Sequence, residues 1–422
     1  GSSALMSAIS ASVFTGVGGS MFEAGIAPMA SNLGILMAHV VLWLGLAAWF
    51  RQLRVVTAPE TMRERFGPTT QQFYAYLGML VQPVFGGFQV YALAIFTSAV
   101  FHVPVPYTIL IVGAAVGFYS VTGGKWAVMA TDFLQSLTLI PVVILVVVLS
   151  IIKLGGPAEV LSSVYQSGGF QAIHPEGNFP NGFYTGRWFF VVALMMLINQ
   201  LQMSWGARFF AAKDGKEANK AAGFLLFAGT VLVFFMFFPP LIARAYFLEE
   251  VMAYGTILQK PAEAAYVVVC IELMPSGILG LVLVAMFAAT ASSMDTGLNT
   301  IAGDITRNIL PPIFRRLGRP PLDIRQELRV GRAISFCLVI FIISIALWMS
   351  AQEGVGIFEL MMAFMNRVTV PMALPFTLAV FVRSLPRSSA ILGIVCGMGL
   401  PVLLNPLADQ LIAVMNSHYG TG

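Results

Sequence analysis

From Phe66 to Gly124 the chain carries no Lys, Arg, Asp or Glu. A membrane helix needs about 20 apolar residues to cross the hydrocarbon core, so this stretch is too long for one crossing. The segment His102-Val103-Pro104-Val105-Pro106 divides it in two. Further charge-free runs occupy 24–50, 133–152, 188–207, 221–243, 273–294, 333–352 and 388–408. With the segment ahead of residue 24 and the stretch around 357–382, the length rule predicts about eleven spans. Composition agrees. Of the 422 residues 58% are hydrophobic and only 10% charged, where a soluble domain carries about a quarter charged. A charge at the centre of a membrane helix costs roughly 2.5–3.5 kcal/mol on insertion scales, which explains its exclusion over such lengths.

Lys and Arg set the direction of the spans. If residue 1 starts on the cytoplasmic side, successive cytoplasmic loops hold Arg51, Arg54, Arg63 and Arg65, then Lys125, then Arg208, Lys213, Lys216 and Lys220. Arg307, Arg315, Arg316, Arg319, Arg325, Arg329 and Arg332 follow, and finally Arg383 and Arg387. These are 18 of the 23 basic residues. The opposite face receives Lys153, Arg187, Arg244 and Lys260, and Arg367 falls within a span. The expectation is a multi-pass protein of the plasma membrane, of the bacterial inner-membrane type, with lipid as its surroundings. The first residues already read as membrane helix without a leader, which predicts further chain upstream. Residues 155–186, rich in Gly, Pro and aromatics, read as an extracytoplasmic cap loop.

Several function classes fall away. Cys270, Cys337 and Cys396 lie in apolar runs at wide spacing, so neither a disulfide framework nor a zinc pattern is present. His39, His102, His174 and His418 are scattered without ligand spacing, so an enzyme built on a histidine triad or metal has no support. The net charge of +4 reflects the loop asymmetry and does not predict a nucleic-acid partner.

Two spans depart from plain apolar helix. In residues 2–27, Gly16, Gly18, Gly19 and Gly25 and several serines interrupt the pattern. Such a segment either unwinds beside a cavity, which lipid otherwise forbids, or packs closely through its small residues. In the second, 275–303, Ser292, Asp295, Thr296 and Asn299 recur at three- and four-residue spacing and share one helical face. An ionisable residue inside a span marks function by default. Carboxylate, hydroxyl and carbonyl oxygens suit a small hard cation. The bland alternative has the serines bonding back to their own helix.

At these residues the chain resembles the sodium:solute symporter family. The likeness lies in Ile9-Ser10-Ala11 running to Gly16-x-Gly18-Gly19, and in Thr57-Ala58-Pro59-Glu60 with Arg65-Phe66-Gly67. It continues in Gly123-Gly124-Lys125-Trp126-Ala127-Val128 with Thr131-Asp132-Phe133-Leu134-Gln135, and in Ala289-Thr290-Ala291-Ser292-Ser293 with Asn299 and Asp304. Asn199-Gln200 and Ala211-Ala212-Lys213 also match. The resemblance implies an all-α integral membrane fold of the leucine-transporter type, a single domain over 1–422. Residues 1–154 would form one five-helix repeat, 187–383 an inverted second, and 388–415 an additional helix.

The resemblance also implies a sodium site made by carbonyls of Met6, Ile9 and Ala289 and hydroxyls of Ser292 and Ser293. A second cation site, present in some members, maps to Asp132, Ser292, Asp295 and Thr296. Asp295 departs from the hydroxyl usual there, so two carboxylates share that site, as a stronger cation site or as a proton-sharing pair; Arg367 is the candidate base that could neutralise them. The implied function is sodium-coupled import of a small organic solute by alternating access, with Na+ as the coupling ion. Proton coupling and a membrane sensor domain are the alternatives. The pattern of sugar carriers is not met, since 191–196 read Val-Val-Ala-Leu-Met-Met and position 13 is Val. The polar groups left as solute contacts are Ser10, Asn32, Gln82, Gln89, Asn199 and Gln200, with Arg367 as a partner for a substrate carboxylate.

Overall fold

A computed structural model describes residues 5, 6, 9–55, 57–122, 125–201, 209, 210, 212–318, 320, 322–352, 354–382 and 384–403, with the side chains of 122, 125–131 and 324 excepted. Gly123-Gly124 and positions 404–415 of the expected last helix lie outside the described residues. Every regular element among those described is helical.

In chain order the helices are α1 (Gly18–Ala24), α2 (Ala27–Gln52), α3 (Ala58–Phe66), α4 (Pro68–Phe101), α5 (Val105–Thr122) and α6 (Lys125–Lys153). Beyond them come α7 (Pro157–Gln166), α8 (Gly186–Gln200), α9 (Gly215–Tyr246), α10 (Leu248–Ala253) and α11 (Ala265–Leu273). The last four are α12 (Ser276–Asp304), α13 (Ile324–Ser350), α14 (Ile357–Phe381) and α15 (Ser389–Leu403). Seven helices among the described residues are long and apolar enough to cross a membrane, and Val105–Val121, Gly186–Gln200 and Ser389–Leu403 are shorter apolar helices.

Local chemistry explains the boundaries. Helix α4 ends at His102 in the left-handed region (φ 56°), and Pro104 beyond it cannot continue a helix. Thr57 and Glu60 form a capping box on α3, so one of the motifs that carried the resemblance is a helix start. Its Arg65 reaches the far end of α14, donating to the Val382 carbonyl over 2.6 Å. Asn308, just past α12, accepts from Gln71 over 2.9 Å and donates to Thr57 Oγ1 over 3.2 Å. These contacts gather α3, α4, α12 and α14 at the end of the bundle that carries the basic loops.

Helix α12 packs against α4, α5, α6 and α13. Helices α2 and α8 approach so closely that a Cβ at Gly34 would lie 2.0 Å from the Ala193 carbonyl oxygen, the small-residue contact that membrane helices use. The outer flanks are apolar and bare: Phe118 is 78% exposed, Leu44 73% and Phe190 70%. Water would penalise that surface by about 25 cal/mol per Å², whereas lipid accepts it.

Candidate functional site

The site lies where the first span meets the middle of α12. Residues 5 and 6 are helical, Ile9 and Ser10 are not, and the helix resumes at Ala11. A widened π turn over Val13–Val17 follows before α1. The backbone groups freed by this break bond across to α12: the Ser293 hydroxyl donates to the Ile9 carbonyl over 2.9 Å, and the Ala11 amide donates to Thr290 Oγ1 over 3.3 Å. Met6, Ile9, Ala289, Ser292 and Ser293 are all buried. Of the two readings of residues 2–27, the structure has the interrupted one, and Gly16 and Gly19 add the close packing as well, against Ile357 and the Glu263 backbone.

Helix back-bonding is real on α12, in the turns that follow the serine pair. Thr296 donates to the Ser292 carbonyl, Asn299 to that of Asp295 and Thr300 to that of Thr296, each one turn back. Ser292 and Ser293 point away instead. Ser292 donates a short hydrogen bond to Asp132 on α6, and Ser293 reaches the break. Asp132 is 0% exposed and Asp295 2%. The Asp295 carboxylate lies beside Ser120 of α5 and within electrostatic reach of Asp132. Its Oδ1, like Ser120 Oγ and Gln135 Oε1, is buried without a regular hydrogen bond among the described residues. Unpartnered buried oxygens cost about 1–3 kcal/mol each, and more for a charged group. A bound cation would offset that cost, and the donor set is all oxygen, as a hard cation requires. Gln135 was quoted in the sequence only as part of a motif, and Ser120 not at all, because nothing local shows where either side chain points.

The expected solute contacts separate. Ser10 shares a 2.7 Å hydrogen bond with Ser12 at the break. Asn32 is half-buried, with a 3.8 Å contact to Met29 Sδ. Asn199 and Gln200 are buried at the end of α8. Gln82 and Gln89 line a cavity of about 40 Å³ that also touches Ser293. Arg367 is exposed on a π turn of α14 and makes no ion pair with Asp295.

A charged cluster on the opposite end from the basic loops was not anticipated. Lys260 pairs with Glu23 at the end of α1 (3.0 Å) and with Glu359 at the start of α14. Beside it the buried Glu263 accepts the Ile357 amide over 2.6 Å, and burial pushes Glu263 up to about 8. Arg244 donates to the Phe22 and Glu23 carbonyls at 2.6 Å each, and His174 Nε2 lies 2.9 Å from the Ala24 carbonyl oxygen. These residues are far apart in sequence, so no local pattern announces them.

The chain matches the Sodium:solute symporter family over residues 1–397. It is 26% identical to sodium/myo-inositol cotransporter 2 of Bos taurus, over 99% of this chain and 67% of that protein. It is 25% identical to sodium/glucose cotransporter 1 of Sus scrofa, over 100% of this chain and 66% of that protein. The chain thus spans about two thirds of the length of these relatives. A solved structure of a Na+-coupled sialic acid symporter, substrate-bound and outward-open, superposes with a TM-score of 0.77 at 19% identity, covering 100% of this chain and 84% of that one. That likeness establishes the leucine-transporter type of fold. This chain belongs to the sodium:solute symporter family, a class of multi-pass membrane carriers and not of enzymes.

Proposed function

We propose that this chain imports a small polar organic solute across the plasma membrane, driven by inward flow of Na+. One observation carries the reading: Ser293 of α12 binds the free carbonyl of Ile9 at the break in the first span. One interrupted backbone and two hydroxyls of the unbroken α12 thereby converge inside the bundle. The carbonyls of Met6, Ile9 and Ala289 and the hydroxyls of Ser292 and Ser293 would hold Na+. To accept the ion, Ser293 turns its proton away from Ile9, so that both oxygens present lone pairs. A second cation would sit among Asp132, Asp295, Thr296 and Ser292, with Ser120 as a further oxygen; the two carboxylates there raise its charge over a hydroxyl-only set.

Residues 1–154 and 187–383 would act as the two inverted repeats whose relative rocking exposes the site alternately, with 155–186 as the cap. The solute would lie beside the break, touching Ser10, Asn32, Asn199 and Gln200. Apolar Val13 and Val191–Met196 leave fewer hydroxyl-binding groups than a sugar site needs. A thermal-shift screen of sugars, amino acids and carboxylates, with and without Na+, identifies the solute. Uptake of the hit into proteoliposomes should require Na+ and fail in choline. Equal uptake in both salts would overturn the reading.

A further inference from the structure

Gln82 and Gln89 stand one heptad apart on α4, where lipid or apolar side chains would leave their amides unsatisfied. Neither makes a hydrogen bond among the described residues. Both are half-buried, and what they face is the cavity of about 40 Å³ bounded also by Ser293, Gly297, Ile301 and Ile342. A single water needs about 10–15 Å³ measured this way, so the space holds a few waters. An organic solute needs a pocket of roughly 300–1,000 Å³. The cavity is thus sized for water or a partly hydrated ion.

Its position gives it direction. Ser293 is on its wall and also touches the Ile9 carbonyl, so the cavity begins at the ion site. Ser293, Gly297 and Ile301 follow at four-residue steps on one face of α12, covering about 12 Å along the axis. They lead towards Asp304, the end at which the basic loops place the cytoplasm. The lining offers two amide oxygens and a hydroxyl and no carboxylate. Such a set stabilises a monovalent cation briefly without trapping it, as a conduction step requires.

We propose that Gln82, Gln89, Ser293 and Gly297 form the release site through which Na+, with one or two waters, leaves for the cytoplasm. This rests on the sodium site proposed above. Gly297 makes it testable, because a Cβ added there meets nothing within 4 Å. Gly297→Leu therefore fills the space without a backbone clash and removes a glycine from a helix interior, which favours the helix.

In proteoliposomes holding purified protein, ²²Na+ exchange should slow at least tenfold in Gly297→Leu, while the Na+ concentration giving half-maximal thermal stabilisation stays within threefold of wild type. Gln82→Leu with Gln89→Leu should slow exchange tenfold as well. Exchange at the wild-type rate in both variants overturns the release site. So does a tenfold rise in the solute's half-saturation with exchange unchanged, which would make the glutamines solute contacts. If wild type shows no Na+-dependent stabilisation, the sodium site itself fails, and the two failures are told apart.

Discussion

Ser293→Ala tests the sodium site most directly. Ser293 is 7% exposed, and its hydroxyl donates to the Ile9 carbonyl at 2.9 Å, across 284 positions in sequence. Removing it has two separable costs. In the ion-free protein a buried hydrogen bond is lost, worth about 1 kcal/mol net, so the variant should still fold and insert. In the ion-bound protein an oxygen facing a charge is lost, worth about 1.5–3 kcal/mol. Affinity reads the difference between the two costs, about 0.5–2 kcal/mol, so at 1.4 kcal/mol per decade the Na+ concentration for half-maximal uptake should rise about 2- to 30-fold. The assay is initial uptake in proteoliposomes over a Na+ series, beside Na+-dependent melting of the same preparation in detergent. A half-saturation within twofold of wild type, in a protein melting within a few degrees of it, would refute the assignment of Ser293.

Other perturbations reach separate parts of the molecule. Asp295→Asn removes a buried charge whose Oδ1 has no regular hydrogen bond among the described residues; uncompensated buried charge destabilises by several kcal/mol, so the variant should melt higher than wild type without Na+ and gain less from Na+. A lower melting point without Na+ would show that the carboxylate is satisfied by the protein alone. Glu263 ionises near 8 in the fold and near 4.5 when unfolded, so between those values the folded state binds the extra proton. Stability should fall as pH rises from about 5 to 8, by an order of a few kcal/mol, and level off above. Glu263→Gln keeps an oxygen for the Ile357 amide and should flatten that slope, which melting curves at each pH would record. Lys260→Met leaves Glu23, Glu263 and Glu359 without their shared cation. Because those pairs are partly exposed, the expected loss is about 1–2 kcal/mol, with melting that improves on acidification; unchanged melting at pH 8 would show that the cluster holds nothing together.

Much of the architecture could be read from the linear chain because its signals are local. A run such as 66–124 without charge has one physical outlet, and Pro104, which cannot continue the helix that ends at Phe101, marks its division. The serines of α12 were legible as a pair, and the resemblance assigned them, but spacing alone left back-bonding open. It took the coordinates to show that Thr296, Asn299 and Thr300 bond back while Ser292 donates to Asp132 and Ser293 to the Ile9 carbonyl. Gln82 and Gln89 were recognisable as polar residues on one face; which cavity they face was not. Arg367 looked like a base for Asp295 because both fall inside apolar segments, yet the π turn of α14 turns it outwards. The Lys260 cluster left no trace in the sequence, since its partners come from α1, the turn before α11 and α14.

The amino-acid order alone determined that this chain crosses a membrane many times and that Pro104 divides the long charge-free run. Those properties follow from the transfer of each residue between water and hydrocarbon and from the backbone limits of Gly and Pro. Only the tertiary structure decided which freed carbonyl meets which hydroxyl, which carboxylates share a neighbourhood, and which amides open on a cavity. Each of those depends on the rotation of one helix against another, a degree of freedom set by packing over hundreds of residues and invisible to any local pattern.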